Sequence, residues 1–240
     1  MINKKTSFVL VVMALLLLLP SFSLSAQEDQ RQRDWPNLSR YREANLNIKA
    51  PAAEERRVVF MGDSITEVWG RTQPEFFSQK PYFNRGISGQ TTPQILLRFR
   101  ADVVNLKPGA VVILAGINDI AEITGPSTPE MIQDNLASMA EIAVANGIKV
   151  VLASVLPVLD FPWKPGMEPA DKVIDLNKWI KAYAEKEGHV YLDYYSLLVD
   201  ENKGLKSEYT KDGVHPNEEG YKLIAPLAEK AIEKAFGAID

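Results

Sequence analysis

Four separated stretches carry residue types that could act together on a carbonyl: Gly62-Asp63-Ser64, Ser88-Gly89-Gln90, Gly116-Ile117-Asn118 and Asp212-Gly213-Val214-His215. Ser64 follows the apolar run Val58–Met61, so it stands at the turn leaving a buried strand and can open the next helix. There the helix dipole favours the negative charge of an alkoxide or a tetrahedral oxyanion. A serine hydroxyl is a poor nucleophile until a base removes its proton. Asp212 and His215 offer that base, because their spacing can set the carboxylate against one imidazole nitrogen and leave the other facing the serine. Gly89 lets a backbone N–H approach a reacting carbonyl closely, and the Asn118 amide donates without bringing charge. Both suit an oxyanion hole. Each piece also has an ordinary reading: Ser64 as a helix cap, Asp212 as a cap with His215 on the surface, Gly89 and Asn118 as turn residues. Their joint occurrence in this order favours catalysis. His189, the other of the two histidines, opens a strand with no acidic neighbour to orient it and reads as structural.

These residues need a scaffold that brings them together. From Arg57 onward the pattern alternates short apolar runs with segments of helical periodicity. Strands are predicted at residues 58–61, 82–87, 110–115, 149–155 and 189–194. Helices are predicted at 65–79, 92–105, 129–146, 170–187 and 217–236, the last started by Pro216. Asn146-Gly147 and Glu187-Gly188 place glycine where a helix C-terminus wants it. Such alternation predicts an α/β fold, a three-layer α/β/α sandwich around a central, mostly parallel five-stranded sheet of flavodoxin-like type. In an open sheet of that kind the ligand site lies at the carboxyl ends of the strands, where the four stretches fall.

The chain opens with Lys4 and Lys5, an apolar run from Phe8 to Leu19, and small residues up to Ala26. That order reads as a signal peptide over 1–26, with an uncleaved membrane anchor as the alternative. Residues 27–55 form a polar leader, and its Trp35 and Tyr41 argue that it docks on the domain, with a short helix over 39–46. Residues 56–240 form the single domain. Loss of the two lysines with the first 26 residues moves the formal net charge from −4 to −6. An acidic protein is a poor candidate for binding nucleic acid or anionic lipid by charge. With no cysteine in the chain there is no disulfide, thiolate metal site or lipid-bearing thiol. No metal and no cofactor are expected. The expected location is exported, either periplasmic or extracellular, without stable membrane association once the signal is removed.

Gly62-Asp63-Ser64, Gly89, Gly116-x-Asn118 and Asp212-x-x-His215 resemble the blocks of the SGNH hydrolases, also called the GDSL lipase/esterase family. The resemblance covers about residues 57–235. Ile65 stands where the family name has leucine, and Gln90 where an acid commonly follows the glycine; neither alters a reacting group. The resemblance implies a carboxylic ester hydrolase with Ser64 as nucleophile, His215 as base and Asp212 as its orienter. It also implies an oxyanion hole from the Ser64 N–H, the Gly89 N–H and the Asn118 side chain.

The substrate is less sharply written. The loop 157–169 carries Phe161, Trp163 and four prolines, a stiff aromatic wall on the site face. Phe161, Trp163 and Asp63 are the candidate substrate contacts. Trp69 could face the site, but core packing is the better reading. With no long apolar lid or interfacial helix in the pattern, short O-acyl esters such as acetyl groups on carbohydrates fit best. The resemblance also permits lysophospholipase, thioesterase or platelet-activating-factor-acetylhydrolase-like substrates. Acyl transfer to a sugar hydroxyl and a non-catalytic binding module remain as alternatives.

Overall fold

Five runs rich in β-branched and apolar residues become the strands β1 (Val58–Gly62), β2 (Tyr82–Gly86), β3 (Ala110–Leu114), β4 (Lys149–Ala153) and β5 (Val190–Leu192). The structure, a computed structural model, describes residues 34–237. The signal segment and residues 27–33 of the leader lie outside the described residues. The strands line up in the order β2-β1-β3-β4-β5, and every neighbouring pair is parallel. Every residue of β1 and β3 is buried, as a sheet covered on both faces requires.

The helices are α1 (Arg42–Leu46), α2 (Ser64–Thr72), α3 (Pro74–Ser78), α4 (Thr92–Asp102), α5 (Ile117–Ile120), α6 (Pro129–Ala145), α7 (Ala170–Glu187), α8 (Tyr195–Leu198) and α9 (Glu218–Ala235). Helices α4, α6 and α7 pack side by side on one face, and α2 and α9 meet on the other. Strand order reverses at β1, so the connections leaving β1 and β3 diverge and open a crevice between them. The register pairs Gly62 with both Gly86 and Leu114. The segments bearing Ser64, Gly89 and Asn118 therefore leave the sheet at one level. Close packing at that level demands glycine. A Cβ on Gly62 would lie 2.2 Å from Thr66 Oγ1, and one on Gly86 2.2 Å from the Glu67 backbone nitrogen.

An aromatic cluster fixes α2 against α9. Trp69 stacks on Phe76 at 4.5 Å and on Tyr221 at 5.5 Å, and the Tyr221 hydroxyl donates to Ile65 O at 2.8 Å. Trp69 is thus a core residue, 3% exposed. Contacts of this kind contribute about 0.5–1.5 kcal/mol per pair beyond simple burial. The helix carrying the serine and the helix that follows the histidine are therefore one packed unit.

Several boundaries differ from the sequence expectation. The helix expected over 65–79 is two, because Pro74 forces Gln73 out of helical geometry. The helix expected to 105 ends at Asp102, before a 3-10 turn at Val104–Leu106. The last strand is shorter than 189–194, and α1 shorter than 39–46. Pro216 does not start the final helix; it pairs with Thr210 in an isolated bridge. Asn217 is the cap, its side chain accepting the Gly220 N–H at 3.0 Å. Residues 34–46 lie along the β2/α4 edge. There the Tyr41 hydroxyl donates to Gly86 O at 2.5 Å and Asn45 Nδ2 to Asp102 Oδ1 at 2.7 Å.

Candidate active site

Ser64 is the first residue of α2. Asp63 caps that helix, accepting the Ile65 N–H at 2.9 Å, which leaves the Ser64 side chain at the mouth of the crevice. The histidine comes from the loop before α9, and Asp212 builds that loop as well as serving the ring. Its Oδ1 accepts the backbone N–H of Val214 at 2.9 Å and of His215 at 2.8 Å. Gly213 supplies the positive φ of 79° that the turn needs. Thr210 tightens it, its Oγ1 donating to His215 O at 2.8 Å and accepting the Gly213 N–H at 3.0 Å.

With the loop closed, Asp212 Oδ2 lies 2.7 Å from His215 Nδ1, and His215 Nε2 lies 2.8 Å from Ser64 Oγ. An ionised carboxylate can only accept, so Nδ1 carries the proton and Nε2 is left to accept from the serine. Burial of Asp212 pushes its carboxyl up, but the hydrogen bonds from the His215 backbone, the His215 ring and Val214 outweigh that and hold it below the usual carboxylate range. It stays ionised at neutral pH.

Asn118 sits in α5, at the carboxyl end of β3, and is 5% exposed. Its Nδ2 donates one hydrogen to Gln90 O at 3.0 Å, which fixes the amide and leaves the other hydrogen free. Gly89 has φ of 75°, and no acceptor among the described residues takes its N–H. Asp119 joins the two blocks, accepting the Thr92 N–H at 2.9 Å and its hydroxyl at 2.6 Å. Burial raises the Asp119 carboxyl above its ordinary value, against those hydrogen bonds.

Ser64, Gly89, Asn118, Asp212 and His215 all line one cavity of about 590 Å³, together with Trp163, whose ring lies 6.5 Å from that of His215. The other two proposed substrate contacts are not there. Phe161 is 1% exposed and supports Trp163 from below, with ring centroids 5.3 Å apart; of the aromatic wall only Trp163 faces the cavity. Asp63 is fully buried under the helix it caps. Burial pushes its carboxyl up to about 7, with Asp119 adding to the effect and the Ile65 N–H and His215 opposing it. Its Oδ2 has no partner among the described residues. His189 lies at the opposite end of the sheet, beside Tyr183, where burial lowers its pKa. Among the described residues no group of three or more His, Cys, Asp and Glu is placed to hold a metal ion.

The sequence reading missed Arg98, which is wholly buried. Its guanidinium donates to Gly62 O at 2.8 Å, Gln90 Oε1 at 2.5 Å and Asp102 Oδ2 at 3.0 Å. Since Gln90 O holds Asn118, one cation ties the serine, glycine and asparagine blocks together. A trace was present in the sequence: Arg98 and Asp102 stand one turn apart on the helix face that carries Ile95 and Phe99.

Residues 60–223 match the GDSL-like lipase/acylhydrolase family model. The chain belongs to this family of esterases and acylhydrolases. It is 51% identical to a GDSL-like lipase from Bacteroides thetaiotaomicron VPI-5482. That solved structure superposes with a TM-score of 0.82, over 83% of this chain and 98% of that one. Esterase TesA of Pseudomonas aeruginosa is 33% identical over 55% of this chain and 60% of its own length. An acetylxylan esterase of Xylanibacter ruminicola is 26% identical over 78% of this chain and 45% of its own. The chain spans between 33% and 60% of the length of the first three curated relatives it matches.

Proposed function

We propose that this protein hydrolyses short-chain O-acyl esters, acetyl groups on carbohydrates foremost, through an acyl-enzyme on Ser64. The observation that carries this reading is the unbroken Ser64–His215–Asp212 relay at 2.8 and 2.7 Å. His215 Nε2 takes the serine proton as Oγ attacks the ester carbonyl. The tetrahedral oxyanion is met by the Ser64 N–H, the Gly89 N–H and the Asn118 amide. The intermediate collapses as His215 returns the proton to the departing alcohol, leaving the acyl group on Ser64. Water, deprotonated by the same nitrogen, then releases the acid and restores the serine.

Two features support a small acyl group. The apolar lining of the cavity is short, consisting of Val68, Ile123 and Trp163 among polar neighbours that include Arg71 and Ser88. A long alkyl chain would lie partly against those polar groups and strip their water without replacing it. The acetylxylan esterase relative points to the same chemistry. We further propose that the protein is exported, on the strength of the first 26 residues; among the described residues no helix is long and apolar enough to cross a membrane.

The test is a series of p-nitrophenyl esters from acetate to palmitate, followed by acetate release from acetylated glycans. Turnover should be highest for the shortest acyl chains and absent from a folded Ser64→Ala variant. A maximum at long chains would overturn the substrate, and full activity of Ser64→Ala would overturn the mechanism.

A further inference from the structure

A second cleft, of about 700 Å³, adjoins the cavity at Ser64, and the two share Ser88, Gly89 and Ile123 as common walls. Gly89, one proposed oxyanion donor, thus stands on the ridge between them. The far wall of the second cleft is made by residues 34–39 of the N-terminal segment, which lie outside the matched family region.

That wall is held in place. Gln94 Nε2 donates to Trp35 O at 2.8 Å, and Gln90 Nε2 to Pro36 O at 2.7 Å. The Asp34 carboxylate accepts the N–H groups of Leu38 and Ser39 at 2.8 and 2.9 Å, closing the turn on itself. Arg40 pairs with Glu67, whose other oxygen takes the Ser88 N–H. All these bonds engage backbone or flanking residues, so the Trp35 indole is not needed to anchor the segment. Trp35 lines the cleft and is 42% exposed. A large apolar ring kept wet, on a backbone fixed by four separate contacts, is a preorganised stacking surface.

The chemistry of the lining identifies its ligand class. Asp34 is the one formally charged residue among those lining the cleft, and its oxygens are already engaged by the turn. With no cation there, a phosphate or a nucleotide-bearing leaving group would lose its hydration uncompensated. Asn37, Ser39 and Thr124 place amide and hydroxyl groups in the same lining as the indole, a set that matches a neutral chain of hydroxyls with apolar ring faces. We propose that this cleft binds the sugar chain of an acetylated oligosaccharide, with Trp35 stacking on a ring next to the one whose ester lies at Ser64. The inference rests on the carbohydrate-ester reading above and assigns the N-terminal segment the role of selecting chain length.

The experiment compares wild type with Trp35→Ala and Trp35→Phe on three substrates: p-nitrophenyl acetate, an acetylated methyl xyloside and acetylated xylotetraose. For wild type, kcat/KM should rise about tenfold from the single sugar to the tetramer, the scale of one well-stacked aromatic contact. Trp35→Ala should abolish that rise, mainly through KM, and leave p-nitrophenyl acetate within twofold of wild type. Trp35→Phe should restore much of the rise. Cleavage of the tetramer by wild type with no loss in Trp35→Ala would overturn this subsite and leave the carbohydrate-ester reading intact. Equal losses on all three substrates would show that Trp35 supports the reacting groups instead. Hydrolysis of p-nitrophenyl acetate without release of acetate from either sugar would overturn both readings.

Discussion

Asp63 is the residue whose replacement the structure predicts most quantitatively. It is fully buried, its carboxyl is pushed by burial from an ordinary 3.8 up to about 7, and one of its oxygens has no partner among the described residues. Unfolded chains give up this proton near pH 4, whereas the folded protein keeps it until about pH 7. Between those values the native state binds more protons, so raising the pH favours unfolding. At 1.36 kcal/mol per pH unit, the gap amounts to about 4 kcal/mol lost between pH 4 and pH 7. Asp63→Asn keeps an oxygen for the Ile65 N–H, since asparagine caps helices as well as aspartate does, but cannot ionise. The variant should therefore gain on wild type steadily from pH 4 to 7 and hold a constant lead above pH 8. The gain between pH 4 and pH 8 corresponds to about 10 °C in melting temperature for a domain of this size. Any fixed cost of the amide shifts the whole curve without changing its slope. Thermal melts of both proteins across pH 4–9 decide the matter. Parallel curves would refute the claim that burial holds Asp63 protonated.

Other variants probe the remaining links. Asn118→Ala should lower kcat by about 10²–10³ while changing KM little, the usual cost of one oxyanion donor, and an unchanged kcat on p-nitrophenyl acetate would remove that role. Asp212→Asn should cost about 10⁴ in kcat, because an amide at that position no longer holds the imidazole in the tautomer that can accept from Ser64. Arg98→Met strands the buried Asp102 carboxylate and should cost about 3–5 kcal/mol in urea unfolding. Arg98→Met combined with Asp102→Leu should recover part of that loss, and a double variant as unstable as the single one would argue against the charge pair as the cause.

The strand–helix alternation was legible because β1 and β3 are apolar at every position, and only a sheet covered on both faces buries such runs. The four chemical blocks were legible because each lies just beyond a strand end or in a tight turn, and because a serine, a glycine, an asparagine and an aspartate–histidine pair stand there in that order. What escaped depended on contacts distant in sequence. The break at Gln73 was signalled by Pro74 but masked by apolar residues that continue in helical register, because Phe76, Phe77 and Trp69 all face one aromatic cluster. Phe161 and Trp163 could not be told apart, since which of two aromatics faces a cavity is decided by the loop's path. Asp63 stood among the candidate substrate contacts, yet capping turns its carboxylate back into the helix. Arg98 carried no signal of its own in the sequence, and only the fold shows the three carbonyl and carboxylate oxygens that converge on it.

Everything proposed for the reaction depends on Ser64 carrying the acyl group. The direct measurement is intact-protein and peptide mass spectrometry after exposure to diisopropyl fluorophosphate, which phosphorylates activated serines. One adduct is expected, on the peptide containing Ser64, formed in step with loss of esterase activity and absent from Ser64→Ala. An enzyme that loses activity with the adduct on another residue, or that forms the same adduct in Ser64→Ala, would contradict it.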